Sequence, residues 1–153
     1  IRTIRNGNLK QKQQTAKREY IMSYLDISAK DAMRGIVIDP AGWYTVRVDN
    51  VGERTPSKAG DSENINIEGT IIKNADSGDE KFAGYPTPSG WLFNSKVPGF
   101  AVGFLRAGGE EIVPGRVGLK VMEGRVIDVF IKHDEYQGRT VSKVDHQYRP
   151  MRG

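Results

Sequence analysis

Two runs of alternating apolar and polar residues near the C-terminal end constrain the fold more than any other feature of this sequence. The runs cover residues 125–133 and 139–148, and residues 135–138 separate them. Alternation with a period of two is typical of strands with one buried face, and a glycine between two such runs indicates a hairpin. The sequence therefore predicts an antiparallel hairpin with a two-residue turn at Gln137 and Gly138. The residues predicted to face the core are Ile127, Val129, Ile131, His133, Ser142, Val144, His146 and Tyr148.

The other face of this hairpin has the chemistry of a binding surface. The predicted register sets Lys132 directly opposite Lys143, with Phe130 beside them. Like charges in that position are unfavourable, and an anionic ligand would relieve them. Cations for phosphates and an aromatic ring for bases are what a single-stranded nucleic acid requires. The competing interpretation is a solvated face on which Asp128 and Asp145 pair with the lysines.

Three more strands and a short helix are predicted upstream of the hairpin. The strands cover residues 43–51, 63–72 and 91–94, and Pro98 begins a helix that ends at Gly108. Trp43 and Arg47 share one face, Trp91 and Phe93 share another, and we expect one of these two pairs to be buried. The first strand is predicted to bury Tyr44, Val46 and Val48 and to expose Trp43, Thr45, Arg47 and Asp49.

The order of these elements predicts the fold class. Five strands with a helix between the third and the fourth match the order of the OB-fold barrel, and they also fit other small barrels and α+β sandwiches. We predict a mainly β fold, a five-stranded OB-like barrel over residues 40–150 with a short helix between strands 3 and 4, preceded by an N-terminal helix. Gly69, in the second predicted strand, indicates a bulge or a bend.

The basic excess of the chain lies in its N-terminal segment. Residues 1–35 hold eight Lys or Arg and three acids, a balance of +5, whereas the other 118 residues hold 15 basic and 16 acidic residues, a balance of −1. Residues 9–34 contain no Gly or Pro and favour a helix that ends at Gly35. We therefore predict a basic helical arm over residues 1–35. Such an arm fits an anionic partner such as nucleic acid, a neighbouring subunit, or a simple solvated helix.

The composition argues against an enzyme. Cysteine is absent, which removes disulfides, thiolate metal sites and cysteine nucleophiles and fits a reducing cytosol. No phosphate-binding loop, dinucleotide-binding glycine pattern, zinc-protease motif or nucleophile elbow occurs. His133, Asp134 and Glu135 are consecutive, so they point alternately and do not suit one metal ion. We expect no metal, no cofactor, no membrane-spanning run and no signal peptide.

Short motifs occur in the stretch from residues 40–44 through 57–62, in residues 93–100, and in the closing segments 123–125, 135–140 and 148–150. These motifs of residues 40–150 resemble bacteriophage OB-fold proteins that bind single-stranded DNA. The resemblance implies a role in phage replication or recombination, phage replication proteins as partners, and the cytoplasm of the bacterial host as the location. Two features depart from the family: the chain ends in a basic rather than an acidic segment, and the basic N-terminal helix is not part of the common core.

The sequence therefore predicts a single-stranded DNA-binding protein without catalytic activity. The first alternative is a structural or assembly protein that associates with itself or with other proteins through the N-terminal helix. The second is a nuclease that uses the acidic loops. Tyr85 lies in a proline-rich loop and has no evident core partner. The residues predicted to contact DNA are Trp43, Arg47, Lys58, Tyr85, Phe130, Lys132, Tyr136, Arg139, Lys143 and Arg149.

Overall fold

The computed structural model describes residues 23–33 and 35–152. Contacts divide the chain into two compact units, Ile1–Ala32 and Met33–Gly153. In the first unit, Ala29–Ala32 form one helical turn, and the Ser28 hydroxyl accepts a hydrogen bond of 3.0 Å from the Asp31 N–H. Residues 24–28 have no regular secondary structure, so the continuous helix predicted over residues 9–34 is wrong there. Residues 9–22 of that helix lie outside the described residues.

The unit Met33–Gly153 is mainly β, as predicted, and its six strands form one antiparallel sheet. The strands are β1 (Gly42–Val51), β2 (Thr55–Pro56), β3 (Glu63–Asn74), β4 (Leu92–Asn94), β5 (Val126–Tyr136) and β6 (Arg139–Pro150). They pair in the order β2-β3-β1-β5-β6, and β4 pairs with β3. The predicted count of five strands is one too low because two residues form an additional short strand, β2. The sheet is not closed: in the described part of the chain, no backbone pairing joins β4 to β6.

The α-helix α1 (Gly99–Ala107) and a one-turn 3₁₀ helix (Lys120–Met122) lie between β4 and β5. Pro98 precedes the first residue of α1, and the Gly108 N–H bonds the carbonyls of Phe104 and Leu105 at 3.3 and 3.1 Å. The prediction of a short helix between Pro98 and Gly108 is therefore confirmed. Among the described residues, no helix is long and apolar enough to cross a membrane.

The hairpin of β5 and β6 has the predicted turn and the predicted register near it. Gln137 and Gly138 have φ of 51° and 76°, the left-handed values that a two-residue hairpin turn requires. Lys132 lies opposite Lys143, and Ile131 lies opposite Val144. This end of the hairpin confirms the pattern-based prediction.

Farther from the turn, the predicted register is wrong. Val129 pairs with Tyr148 instead of His146, because three residues of β6, 145–147, stand opposite Phe130 alone. His146 adopts a left-handed φ of 53° in this bulge. A bulge inserts residues without breaking the run of apolar side chains, so the alternation in the sequence does not show it.

The core contains the apolar faces that the alternation predicted. Tyr44, Val46 and Val48 are buried. Of the two pairs of which one was expected to be buried, Trp91 and Phe93 lie in the core. Two residues predicted to be exposed, or to pair with surface lysines, are also buried: Thr45 is 1% exposed and Asp128 is 0% exposed. The other buried apolar residues are Ile38, Val51, Ile67, Ile71, Phe82, Phe104, Leu105, Ala107, Leu119, Met122, Ile127, Val129 and Ile131.

Side chains rather than backbone join β4 to β6 across the open side of the sheet. The Trp91 indole N–H donates a hydrogen bond of 2.8 Å to the Tyr148 hydroxyl, and the two rings stack with centroids 6.2 Å apart. The Phe93 ring lies 6.0 Å from the Tyr148 ring, and Phe104 of α1 packs on both at 5.0 and 5.4 Å. We call Trp91, Phe93, Phe104 and Tyr148 the aromatic seam.

Candidate nucleic-acid interface

An aromatic pair stands on the outward face of the sheet, opposite the core. Trp43 at the start of β1 and Phe130 in the middle of β5 are direct cross-strand partners. Their rings meet edge to face, with centroids 5.4 Å apart and planes at 88°. Both residues are partly exposed. The structure thus brings together two residues that the sequence placed in the binding surface.

Arg149, in β6, packs against the pair formed by Trp43 and Phe130. Its guanidinium lies over the Trp43 ring, 4.2 Å from the centroid. Its Nε donates a hydrogen bond of 3.0 Å to Asp128, and the other carboxylate oxygen of Asp128 accepts one of 2.8 Å from the Thr45 hydroxyl. Burial opposes the positive charge of Arg149, but the hydrogen bonds to Asp128 and Asp76 outweigh that effect and raise its pKa. Arg149 is therefore an anchored side chain, only 20% exposed, and in this structure it is paired with Asp128 and Asp76.

The two opposed lysines of the hairpin each have a carboxylate partner. Lys132 Nζ lies 3.2 Å from Asp145, and Lys143 Nζ lies 3.4 Å from Asp134. The Glu135 N–H and then Lys143 hold the pKa of Asp134 below its usual value. The competing interpretation is therefore correct for Asp145, while Asp128 pairs with Arg149 instead of a lysine. Strand alternation places Lys132 two residues from Phe130, on the same face.

The other predicted contact residues are dispersed. Arg47 is exposed and pairs with Asp49 at 2.7 Å. Tyr136 and Arg139 face each other at the exposed end of the hairpin, where Tyr136 is 60% exposed. Strand alternation places Tyr136 on the face of Phe130 and Lys132, so the surface extends toward the turn.

Lys58 and Tyr85 lie in loops away from this aromatic pair. Lys58 precedes the start of β3, while Trp43 lies beside the other end of this 12-residue strand, where its carbonyl accepts the Ala75 N–H. Tyr85 is partly buried against the core and meets the Phe82 ring edge to face at 5.3 Å. The expectation that Tyr85 lacks a core partner is therefore wrong.

Three residues of the outward face were not foreseen from the sequence as parts of this network: Thr45, Asp76 and Arg152. Asp76, in the turn after β3, accepts a hydrogen bond of 3.0 Å from Arg149 Nη2 and lies 3.8 Å from Arg152 Nη1. Asp76 and Arg149 are 73 residues apart, and no local pattern connects them. The sequence could have predicted the pairing of Asp128, because a single acidic residue within an apolar strand requires a partner when it is buried.

The hairpin-end residues His133, Asp134 and Glu135 do not converge on one point. His133 Nε2 lies 2.7 Å from the Ile38 carbonyl, while Asp134 faces Lys143. Within residues 23–33 and 35–152, no three His, Asp or Glu side chains are grouped as metal ligands.

Comparisons with known proteins provide no family for this chain: no family model matches the sequence, and no curated protein is significantly similar to it. The geometry of the outward face is therefore the basis for assigning a function to this chain.

Proposed function

We propose that this protein binds single-stranded DNA on the outward face of β1, β5 and β6, without catalysing a reaction on it. The observation that supports this proposal is the partly exposed pair of Trp43 and Phe130 beside the directly opposed Lys132 and Lys143. Unpaired bases stack on accessible aromatic rings, and phosphates bind nearby cations. A role in phage replication or recombination, in the host cytoplasm and with phage replication proteins as partners, is part of the same proposal.

The strand arrangement supports the proposal as well. The pairing order, with β4 outside β3 and α1 between β4 and β5, fits an OB-like barrel whose gap lies between β4 and β6. OB-folds are partly open barrels that bind oligonucleotides on their sheet surface. The aromatic seam would then close the gap with side chains.

The ion pairs on this face predict how binding responds to salt. Phosphates must compete with Asp145 and Asp134 for the two lysines, and exposed ion pairs of this kind are weak, so exchange is feasible. Each phosphate contact on a single strand should lower log Kobs by about 0.7 per log unit of salt.

Replacing the partly buried ring of Phe130 tests the proposal. We expect Phe130→Ala to weaken binding to a labelled oligo-dT about fivefold to 150-fold, since each stacked base contributes about 1–3 kcal/mol. Fluorescence anisotropy measures the affinity, and a urea melt checks that the variant is folded. Phe100→Ala is the matched control, because Phe100 is an exposed ring that stacks on His146 instead. A folded Phe130→Ala variant with unchanged affinity would exclude Phe130 from the site.

A second candidate function is a structural or assembly protein. The ion pairs of the outward face favour this function, because the cations that would bind phosphates already have carboxylate partners. These cations are Lys132, Lys143 and Arg149. A full-length protein that binds neither oligo-dT nor the matching duplex at low salt, yet sediments as an oligomer, would support this function over DNA binding.

A further inference from the structure

The turn after β3 places a carboxylate against two arginines at the edge of the aromatic pair. Asp76 accepts a hydrogen bond of 3.0 Å from Arg149 Nη2 and lies 3.8 Å from Arg152 Nη1. Arg149 also lies over the Trp43 ring at 4.2 Å. Two guanidinium groups therefore converge on one anion, next to a ring on which a base could stack.

Hydrogen bonds of the turn backbone place Asp76 beside the two arginines. The Ala75 N–H donates to the Trp43 carbonyl at 2.8 Å, which ties the turn to the start of β1. The Asn74 side chain accepts hydrogen bonds from the N–H groups of Asp76 and Ser77 at 3.0 and 2.9 Å. None of these bonds uses the Asp76 carboxylate, so its side chain is not needed to form the turn.

Arg149 has two partners that differ in burial. Asp128, which binds Nε, is 0% exposed, whereas the Asp76 side chain, which binds Nη2, is 58% exposed. Breaking a buried pair leaves a charge without a partner and is costly, while an exposed pair contributes little. Asp76 is therefore the partner that another anion can replace.

We infer that Arg149 and Arg152 form a phosphate-binding site that Asp76 occupies in the free protein, and that a phosphodiester of the bound strand displaces Asp76. Carboxylate and phosphate oxygens both accept paired hydrogen bonds from guanidinium groups, so one can replace the other. Asp128 keeps Arg149 in place during the exchange. This inference rests on the proposed single-strand binding, and it adds an internal competitor to that site.

The inference is tested by the affinity of full-length variants for labelled oligo-dT. We expect Asp76→Asn to bind about twofold to fivefold more tightly at low salt, the range that loss of an exposed ion pair implies. Asp79→Asn is the matched control, because Asp79 lies in the same loop and the substitution changes the net charge by the same amount. The Asp79 side chain accepts a hydrogen bond from the Lys81 N–H, and an asparagine oxygen can accept the same bond. Arg152→Ala should weaken binding and reduce the salt slope by about 0.7.

The outcomes separate this inference from the proposed function. A smaller gain from Asp76→Asn in the Arg152→Ala background would support the shared site, because coupled residues are not additive. If the parent protein binds oligo-dT but Asp76→Asn and Asp79→Asn have equal effects, the inference is overturned and the proposed function remains. If neither the parent protein nor Asp76→Asn binds oligo-dT, both are overturned.

Discussion

At Asp128, a single carboxylate organises the outward face of the sheet. It is fully buried between the Thr45 hydroxyl at 2.8 Å and Arg149 Nε at 3.0 Å. A buried carboxylate is tolerated only where hydrogen bonds and an opposite charge replace water. Because Arg149 donates a hydrogen bond to Asp128, the Arg149 guanidinium is held over the Trp43 ring. The orientation of Trp43, which the sequence predicted to contact DNA, is therefore fixed by contacts within the protein.

His146 is the residue whose protonation should make the fold sensitive to pH. Its Nδ1 lies 2.9 Å from the Tyr148 hydroxyl, and its ring stacks on Phe100 with centroids 4.5 Å apart. Burial lowers the pKa of His146 below 6.5, and Lys132 lowers it further, although Asp145 opposes the shift. The unfolded chain therefore takes up this proton at a higher pH than the folded one.

We expect stability to fall as the pH drops through about 6.5, because the unfolded state then binds more protons than the folded state. Urea midpoints between about pH 7.5 and about pH 5.5 measure this slope, in a window above the ordinary pKa of aspartate. His146→Asn removes the titrating ring and tolerates a left-handed φ. A variant that keeps the full slope would show that another group is responsible.

At the scale of elements, the glycine in β3 allows two strands to approach closely. A Cβ built at Gly69 would lie 2.7 Å from the Arg47 carbonyl oxygen and 2.9 Å from Val46 Cγ1. The register of β1 and β3 shifts beside this position, between Val48 and Asn50. The irregularity that the sequence predicted at Gly69 is therefore present, at a position where the neighbouring backbone leaves no room for a Cβ.

We expect Gly69→Ala to destabilise the protein by about 1–3 kcal/mol, because backbone cannot move aside as a flexible side chain can. The control is Gly99→Ala in the first turn of α1, where an added Cβ meets no atom within 4 Å. That substitution should be neutral or stabilising by up to about 1 kcal/mol. Urea denaturation compares the two, and equal stability would contradict the close approach.

At the scale of the whole unit, the aromatic seam replaces the backbone pairing that β4 and β6 lack. Tyr148 is central to it: its hydroxyl accepts the Trp91 indole N–H at 2.8 Å and lies 2.9 Å from His146 Nδ1. Burial raises the pKa of this hydroxyl, so it stays protonated and can donate to the imidazole. Strand β6 is thus held to α1 and β4 by ring packing and one chain of hydrogen bonds.

We expect Tyr148→Phe to lower the free energy of unfolding by about 1–3 kcal/mol, since it leaves the buried Trp91 N–H without its acceptor. Tyr136→Phe is the matched control, because the same hydroxyl is removed from a residue that is 60% exposed. Chemical denaturation followed by tryptophan fluorescence gives both values. Equal losses in the two variants would mean that the seam hydroxyl does not contribute.

The sequence by itself determined the local features of the unit. Period-two alternation identified the buried faces of β1 and β5, and glycine with its permitted left-handed φ located the hairpin turn. Pro98 and Gly108 bounded α1. These features depend on neighbouring residues and on backbone sterics, which are readable along the chain.

Only the tertiary structure decided which charges meet and where the sheet remains open. The bulge at His146 shifts β6 by two residues, so that Arg149 lies opposite Asp128, and the turn after β3 brings Asp76 to the same guanidinium. Contacts of this kind join residues far apart in the chain. A two-residue change of register leaves each side chain on the same face of the sheet but gives it a different partner on the neighbouring strand. For that reason the alternating pattern identified the buried and outward faces of the strands, whereas the ion pairs on the outward face depended on the folded arrangement.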